Sequence, residues 1–235
     1  MFIITMAGLS SRFFDAGYTV PKYQLELNGN TVFARSVLSF KKYFKTDKFV
    51  FVIRNIFDTA TFVANEATQL GILDYEIVVL ESETRGQAES AYLATSKFSA
   101  DTPIYIFNID TFRYNYTKPA FIEDCDGYLE VFNSEGSNWS FVLPDGTENV
   151  LQTTEKKRIS DLCSDGLYYF KRKSVFETLF LEATNHQDTV LGEYYVAPLY
   201  NGLIARQGIV KYFKINNDQI DLCGTPDEYR ALTKR

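Results

Sequence analysis

The chain of 235 residues contains one histidine, His186. That scarcity excludes a metal site built from several imidazoles and argues against a Ser-His-Asp hydrolase. His186 lies in Thr-Asn-His-Gln-Asp, a polar stretch that reads as surface loop. Cysteine is almost as scarce: Cys125, Cys163 and Cys223 stand far apart, without the paired spacing of a zinc site or a disulfide framework. They read as reduced structural thiols. Positive charge is also in short supply. A net charge of −6 and a pI near 5.0 leave no basic excess for general nucleic-acid binding. No apolar run reaches membrane-spanning length, and the first strand begins at Phe2 without a basic leader or a cleavage site. The expectation is a soluble, cytoplasmic protein. Linkers, repeats and low-complexity tracts are missing too, which predicts one domain over 1–235 with two lobes.

What is present is the composition of an ordinary globular protein, 46% hydrophobic and 23% charged, long enough for one large α/β core. Aromatics reach 16%, most of them expected in that core. Apolar runs at 2–6, 48–53, 75–80 and 103–107 predict buried strands. Between them, helical spacing predicts helices from Thr31 to about Tyr43, over 58–70 with Gly71 as its stop, and over 89–95. Strands alternating with helices, apolar on both faces, predict a mostly parallel sheet covered on both sides. A short strand and an Asn28-Gly29 turn precede the first helix. From residue 126 the pattern changes. Strands are expected at 127–132, 139–143, 148–154 and 167–170, with turns at Pro144-Asp145-Gly146 and Asp165-Gly166. Helices at 174–183 and 194–206, strands at 210–215 and 219–221, and a helix opening at Pro226 complete a mixed β lobe.

On a parallel sheet, ligands bind beyond the carboxyl ends of the strands. Three segments fall there and are expected to converge on one crevice. The first is Ala7-Gly8-Leu9-Ser10-Ser11-Arg12, continuing to Pro21-Lys22. Gly8 permits close approach of an anion to the main chain, and Ser10 and Ser11 add hydroxyl donors. Arg12 supplies a planar fork and Lys22 a point charge, both suited to polyphosphate. This is neither a P-loop nor a dinucleotide fingerprint, and by itself it can equally be a turn with two surface cations. The second segment is Thr84-Arg85-Gly86-Gln87-Ala88-Glu89, a turn feeding a helix. There Gly86 admits a flat base and the Gln87 amide can read its edge, or Gln87 simply opens a helix. The third is Asn108-Ile109-Asp110, an acid ending a strand, suited either to Mg²⁺ or to capping the next turn. Asp221, before Gly224-Thr225-Pro226, has the same character. Glu155-Lys156-Lys157-Arg158 is a charge run at a strand end, and Glu193 stands where a helix would take a first-turn acid.

The order of these pieces, from the Gly8 loop to Asp221-Leu222-Cys223-Gly224-Thr225-Pro226, resembles the sugar-phosphate nucleotidyltransferase family along the whole chain. The resemblance extends to the branch containing phosphocholine cytidylyltransferase-like enzymes. It implies a GT-A-like, Rossmann-like α/β fold, a nucleotide-binding half at 1–125 and an acceptor-binding half at 126–235. It implies condensation of a nucleoside triphosphate with a sugar 1-phosphate or a similar small phosphate, releasing pyrophosphate, for surface polysaccharide synthesis. Carried over by position, Ala7 to Ser11 and Arg12 hold the triphosphate with Lys22, Gly86 and Gln87 face the base, and Asn108 belongs to the nucleotide site. Asp110 and Asp221 share Mg²⁺, Glu155 and Glu193 bind acceptor hydroxyls, and Lys156 takes the acceptor phosphate.

Three positions depart from the family pattern. Ser10 replaces the second glycine, Tyr23 follows Pro21-Lys22, and no proline follows Glu155-Lys156. A side chain at position 10 crowds the phosphate approach unless the loop shifts or the hydroxyl takes part. The aromatics Trp139, Tyr168, Tyr169, Tyr194 and Tyr195 are suited to a cationic acceptor. Two other readings compete. A GT-A glycosyltransferase would prefer Asp-x-Asp where this chain has Asn108-Ile109-Asp110, and a non-catalytic nucleotide sensor would lack one of the acids or cations present here.

Overall fold

A computed structural model describes all residues from 1 to 235. From the N-terminus, β1 (Phe2–Thr5) leads to a short α1 (Ser11–Asp15), a 3-10 turn at Lys22–Gln24, and the strands β2 (Glu26–Leu27) and β3 (Asn30–Thr31). Next come α2 (Val32–Val37), β4 (Phe49–Arg54), α3 (Thr59–Leu70), β5 (Tyr75–Leu80) and α4 (Gln87–Thr95). They are followed by β6 (Ile104–Asn108), β7 (Thr111–Arg113), β8 (Gly127–Asn133), β9 (Ser140–Pro144), β10 (Val150–Glu155) and β11 (Leu162–Phe170). The chain ends with α5 (Lys173–His186), α6 (Tyr200–Ala205), β12 (Val210–Lys214), β13 (Ile220–Leu222) and α7 (Pro226–Thr233).

Two compact units result, each discontinuous in sequence. One gathers Phe2–Glu83, Asn108–Thr117 and Asp218–Arg235. Within it, β1 and β5 flank β4 in parallel register, as the apolar runs require. Its core is aromatic: the Phe2 ring lies 4.6 Å from Phe40 and 5.0 Å from Phe49. β13 pairs antiparallel with β7, placing Asp221 opposite Phe112 and Leu222 opposite Thr111. A buried cluster of Leu27, Val32, Phe112, Cys223 and Leu232 packs the last segment against the β2–β3 hairpin and α2. The hairpin turns at Asn28 and Gly29, both at positive φ (52° and 79°), as a two-residue primed turn demands.

The other unit comprises Met1, Thr84–Phe107 and Lys118–Asn217. Its sheet is mixed: β11 pairs antiparallel with β6, β8 and β9, β10 pairs antiparallel with β9, and β12 runs parallel to β8. Aromatic stacking again fills the interior, with Phe170 4.5 Å from Tyr200 and Tyr128 5.2 Å from Tyr169. The α/β class expected from the alternating runs is therefore the class observed.

Several local differences have physical causes. The helix expected through Tyr43 stops being α-helical at Val37 and tightens into a 3-10 segment, Leu38–Tyr43, kinked at Phe40 (φ −106°, ψ 20°). Asp165-Gly166 is not a turn before a strand but an irregularity inside a longer one, where the pairing with β8 shifts between Ser164 and Tyr168. The helix expected from Tyr194 begins only near Ala197, because the Tyr194 main chain is committed to the Arg85–Ala88 turn. His186 ends α5 rather than lying in a loop, and its side chain is exposed as expected.

Candidate active site

In the first unit the Gly8 loop is open: Gly8, Leu9, Ser11 and Arg12 are exposed, and a Cβ added at Gly8 would meet nothing within 4 Å. Phe13, buried, anchors the loop beside Tyr18 and Tyr229, with ring centroids 5.5 and 6.2 Å away, and so leaves Arg12 on the surface. Ser10 stands where the family pattern has its second glycine. Its backbone sits in the left-handed region (φ 54°, ψ 26°) that favours glycine, and its hydroxyl accepts the Lys22 N–H at 3.2 Å. The hydroxyl thus ties both cation-bearing segments together. Tyr23 is explained as well: it is buried, shares a 2.8 Å hydrogen bond with Thr59 and packs against Phe62, fixing the Lys22 turn on α3.

The Lys22 ammonium reaches Asp110, Nζ to Oδ2 2.5 Å. Asp110 follows β6, and its main-chain oxygen accepts the Cys223 N–H at 2.8 Å, so the β7–β13 ladder holds the two acid-bearing segments side by side. Asn108 is held through its carbonyl, which accepts from the Ser36 hydroxyl at 3.1 Å. Asp221 accepts from the Tyr114 hydroxyl and from the Arg235 guanidinium, each at 2.7 Å. Burial and the acid together push the Tyr114 hydroxyl up to about 12. No three His, Cys, Asp or Glu side chains gather as a metal cluster. Asp110 and Asp221 do offer carboxylate oxygens, the donor type Mg²⁺ takes from protein before water and substrate phosphate complete its shell. Gly224 leaves room beside Asp110, since a Cβ there would lie 3.2 Å from Asp110 Oδ2.

In the second unit Gly86 has a demanding position. At φ 113° a Cβ would meet the Tyr194 carbonyl oxygen at 2.5 Å, so the main chain of Tyr194 itself requires the glycine. Tyr194 N–H donates to Arg85 O at 2.6 Å and Ala88 N–H to Tyr194 O at 3.1 Å. Gln87, half-buried, opens α4 directly after this junction. Glu193 is therefore not a first-turn helix acid. It lies in a turn closed by reciprocal main-chain bonds with Val190, at 2.9 and 3.0 Å.

Glu155 ends β10, buried, and accepts from the Ser140 hydroxyl. Burial raises its carboxyl above the usual range. Lys156 stands in the left-handed region (φ 53°), with its N–H bonded to Trp139 O at 2.8 Å. Its ammonium donates to the Tyr195 hydroxyl and lies 4.6 Å from that ring's centroid. The Tyr195 hydroxyl in turn bonds Glu193, and burial followed by this acid raises its pKa. Lys156, Tyr195 and Glu193 form one network, with Glu155 near enough to feel Lys156 and Glu193 electrostatically. Of the aromatics suggested for a cationic acceptor, Tyr168, Tyr169 and Tyr194 are buried core, and Trp139 packs edge-on against Phe132. Ser140, Tyr114 and Arg235 were not legible as site residues.

No family model matches the chain, and no curated protein does. Solved structures do. The nucleoside-diphosphate-sugar pyrophosphorylase of Vibrio cholerae RC9 is 47% identical over 100% of both chains, with a TM-score of 0.96. A putative glucose-1-phosphate thymidylyltransferase from Bacillus anthracis shares the fold at 15% identity and TM-score 0.80, over 99% of this chain and 93% of that one. CTP:phosphocholine cytidylyltransferase from Streptococcus pneumoniae does so at 14% and 0.74, over 99% and 97%. Fold and likeness together define an α/β nucleotidyltransferase. More narrowly, the chain belongs to the nucleoside-diphosphate-sugar pyrophosphorylase family.

Proposed function

We propose that this protein condenses a nucleoside triphosphate with a sugar 1-phosphate, or a similar small organic phosphate, to give a nucleotide-activated product and pyrophosphate. The acceptor phosphate oxygen attacks the α-phosphorus, and the bond to the β-phosphate bridging oxygen breaks as pyrophosphate leaves with the electron pair. The acceptor is already anionic and pyrophosphate is already a competent leaving group, so the single histidine is no obstacle. In this reading catalysis is alignment plus charge neutralisation.

Residues Ala7 to Arg12 bind the triphosphate, with Arg12 and Lys22 neutralising charge on it. Gly86, Gln87 and Asn108 bind the nucleoside end. Glu155 and Glu193 take acceptor hydroxyls and Lys156 the acceptor phosphate. Mg²⁺ held by Asp110 and Asp221 would supply Lewis-acid charge neutralisation at the phosphates. The product serves surface polysaccharide synthesis in the cytoplasm, where triphosphates are at hand.

The observation that carries the reading is the placement of Lys22, bonded through its main chain to the Gly8 loop and through its ammonium to Asp110. A glycosyltransferase that consumes a nucleotide sugar has no need of that cation between loop and acid. The test is pyrophosphate release in Mg²⁺, crossing the common nucleoside triphosphates with sugar 1-phosphates, polyol phosphates and phosphocholine. Release confined to one pair identifies both substrates. If no triphosphate releases pyrophosphate or raises the melting temperature, the reading is wrong.

A further inference from the structure

Asp110 and Asp221 each carry a cation from their own compact unit: Lys22 on the first at 2.5 Å, Arg235 on the second at 2.7 Å. Neither is a neighbour on one helix turn. Lys22 and Asp110 are 88 residues apart, and the Lys22 main chain is pinned independently by Ser10. The side chain can therefore swing between partners while its backbone stays in place. Tyr114, the other partner of Asp221, is a neutral donor.

We propose that Lys22 and Arg235 act as built-in stand-ins for the divalent cation, holding the two carboxylates until a triphosphate draws them off. This rests on the reading of Asp110 and Asp221 as the metal acids. With Lys22 on Asp110 and Arg235 on Asp221 the two negative charges are balanced, so an entering divalent cation exchanges one set of attractions for another and gains little beyond them. Loss of its hydration shell opposes it further. A triphosphate changes that balance, because its oxygens give the lysine and the arginine better partners than a carboxylate already wanted by the metal. Metal and nucleotide then bind as one event. Lys22 and Arg235 each have two successive roles, on a carboxylate first and on phosphate afterwards.

Mn²⁺ binding to the nucleotide-free protein, followed by electron paramagnetic resonance, tests this without turnover. Lys22→Met and Arg235→Gln should each tighten Mn²⁺ binding by about two- to fivefold, the range expected for releasing one partly exposed ion pair. Asp110→Asn in the Lys22→Met background should abolish that gain. Arg235, whose side chain is 67% exposed, can be changed without risk to the core, so it keeps the test open if Lys22→Met does not fold. Unchanged or weaker Mn²⁺ binding in both variants, with Asp110→Asn still abolishing it, would overturn the stand-in role and leave the metal acids standing. Mn²⁺ binding indifferent to Asp110→Asn in every background would overturn both.

Discussion

The Ser10 hydroxyl accepts the Lys22 N–H at 3.2 Å while Ser10 itself occupies a left-handed backbone conformation. The two features oppose each other. The conformation costs about 1–2 kcal/mol for a residue with a Cβ, and the hydrogen bond returns about 0.5–1.5 kcal/mol. Ser10→Gly should therefore leave stability within about 1 kcal/mol of the parent, since strain and bond vanish together. Ser10→Ala keeps the strain and loses the bond. It should lower the melting temperature by about 2–4 °C in a chain of this size. Calorimetry on the pair distinguishes them, and an alanine variant more stable than the glycine variant would contradict this account.

Gly86→Ala forces a Cβ into the Tyr194 carbonyl oxygen at a φ of 113°. Backbone strain and overpacking together predict a loss of about 2–4 kcal/mol in urea unfolding. Because Tyr194 lies between Glu193 and Tyr195, the same change should raise the acceptor KM. A loss confined to the nucleotide KM would mean that the glycine serves the base and not Tyr194.

Tyr195→Phe keeps the ring beneath the Lys156 ammonium but removes the hydroxyl that joins Lys156 to Glu193. The expected result is an acceptor KM raised about tenfold, with kcat lowered less. Equal losses in kcat and kcat/KM would instead assign the hydroxyl to the transition state.

Glu155 is buried with its pKa raised, so its ionised form is disfavoured in the folded chain. The sign follows directly. Stability contributed by the protonated form is fully present below the ordinary carboxylate range, about pH 4 to 5, and is lost as pH rises through the raised folded value. Glu155→Gln removes that loss. The variant should melt higher than the parent at neutral pH, and the gap should close as pH falls below about 4. Its activity should fall at the same time, because an acceptor-binding carboxylate disfavoured by its surroundings is retained for function. A gap independent of pH would show that Glu155 does not titrate as argued.

Periodicity was sufficient wherever burial repeats along a contiguous segment. The strands β1, β4 and β6 are apolar and buried on both faces and were legible for that reason. β5 was legible from its apolar run although Glu76 and Val79 are exposed on it. The Thr31 cap, whose side chain accepts from Ala34 N–H, was legible too. The capping box of Thr225 and Glu228 with Pro226 at the helix start was also written locally. Two short elements were not legible. α1 has five residues and β7 three, too few for any period to show, and β7 exists only because β13 pairs with it. Tyr194 reads as helix and lies outside one, because two hydrogen bonds to a distant turn outweigh its local preference.

By itself the sequence determined the α/β class, the aromatic core and the ordered set of loop, cations and acids that marks the family. Each of these depends on residues close together in the chain or on their order along it. Tertiary structure alone decided that Lys22 meets Asp110, that Arg235 and Tyr114 meet Asp221, and that Lys156, Tyr195 and Glu193 share one network. Lys22–Asp110, Tyr114–Asp221 and Lys156–Tyr195 join residues 88, 107 and 39 positions apart in the chain. Only strand register and packing choose which carboxylate a long cationic side chain will meet, and no local pattern encodes that choice.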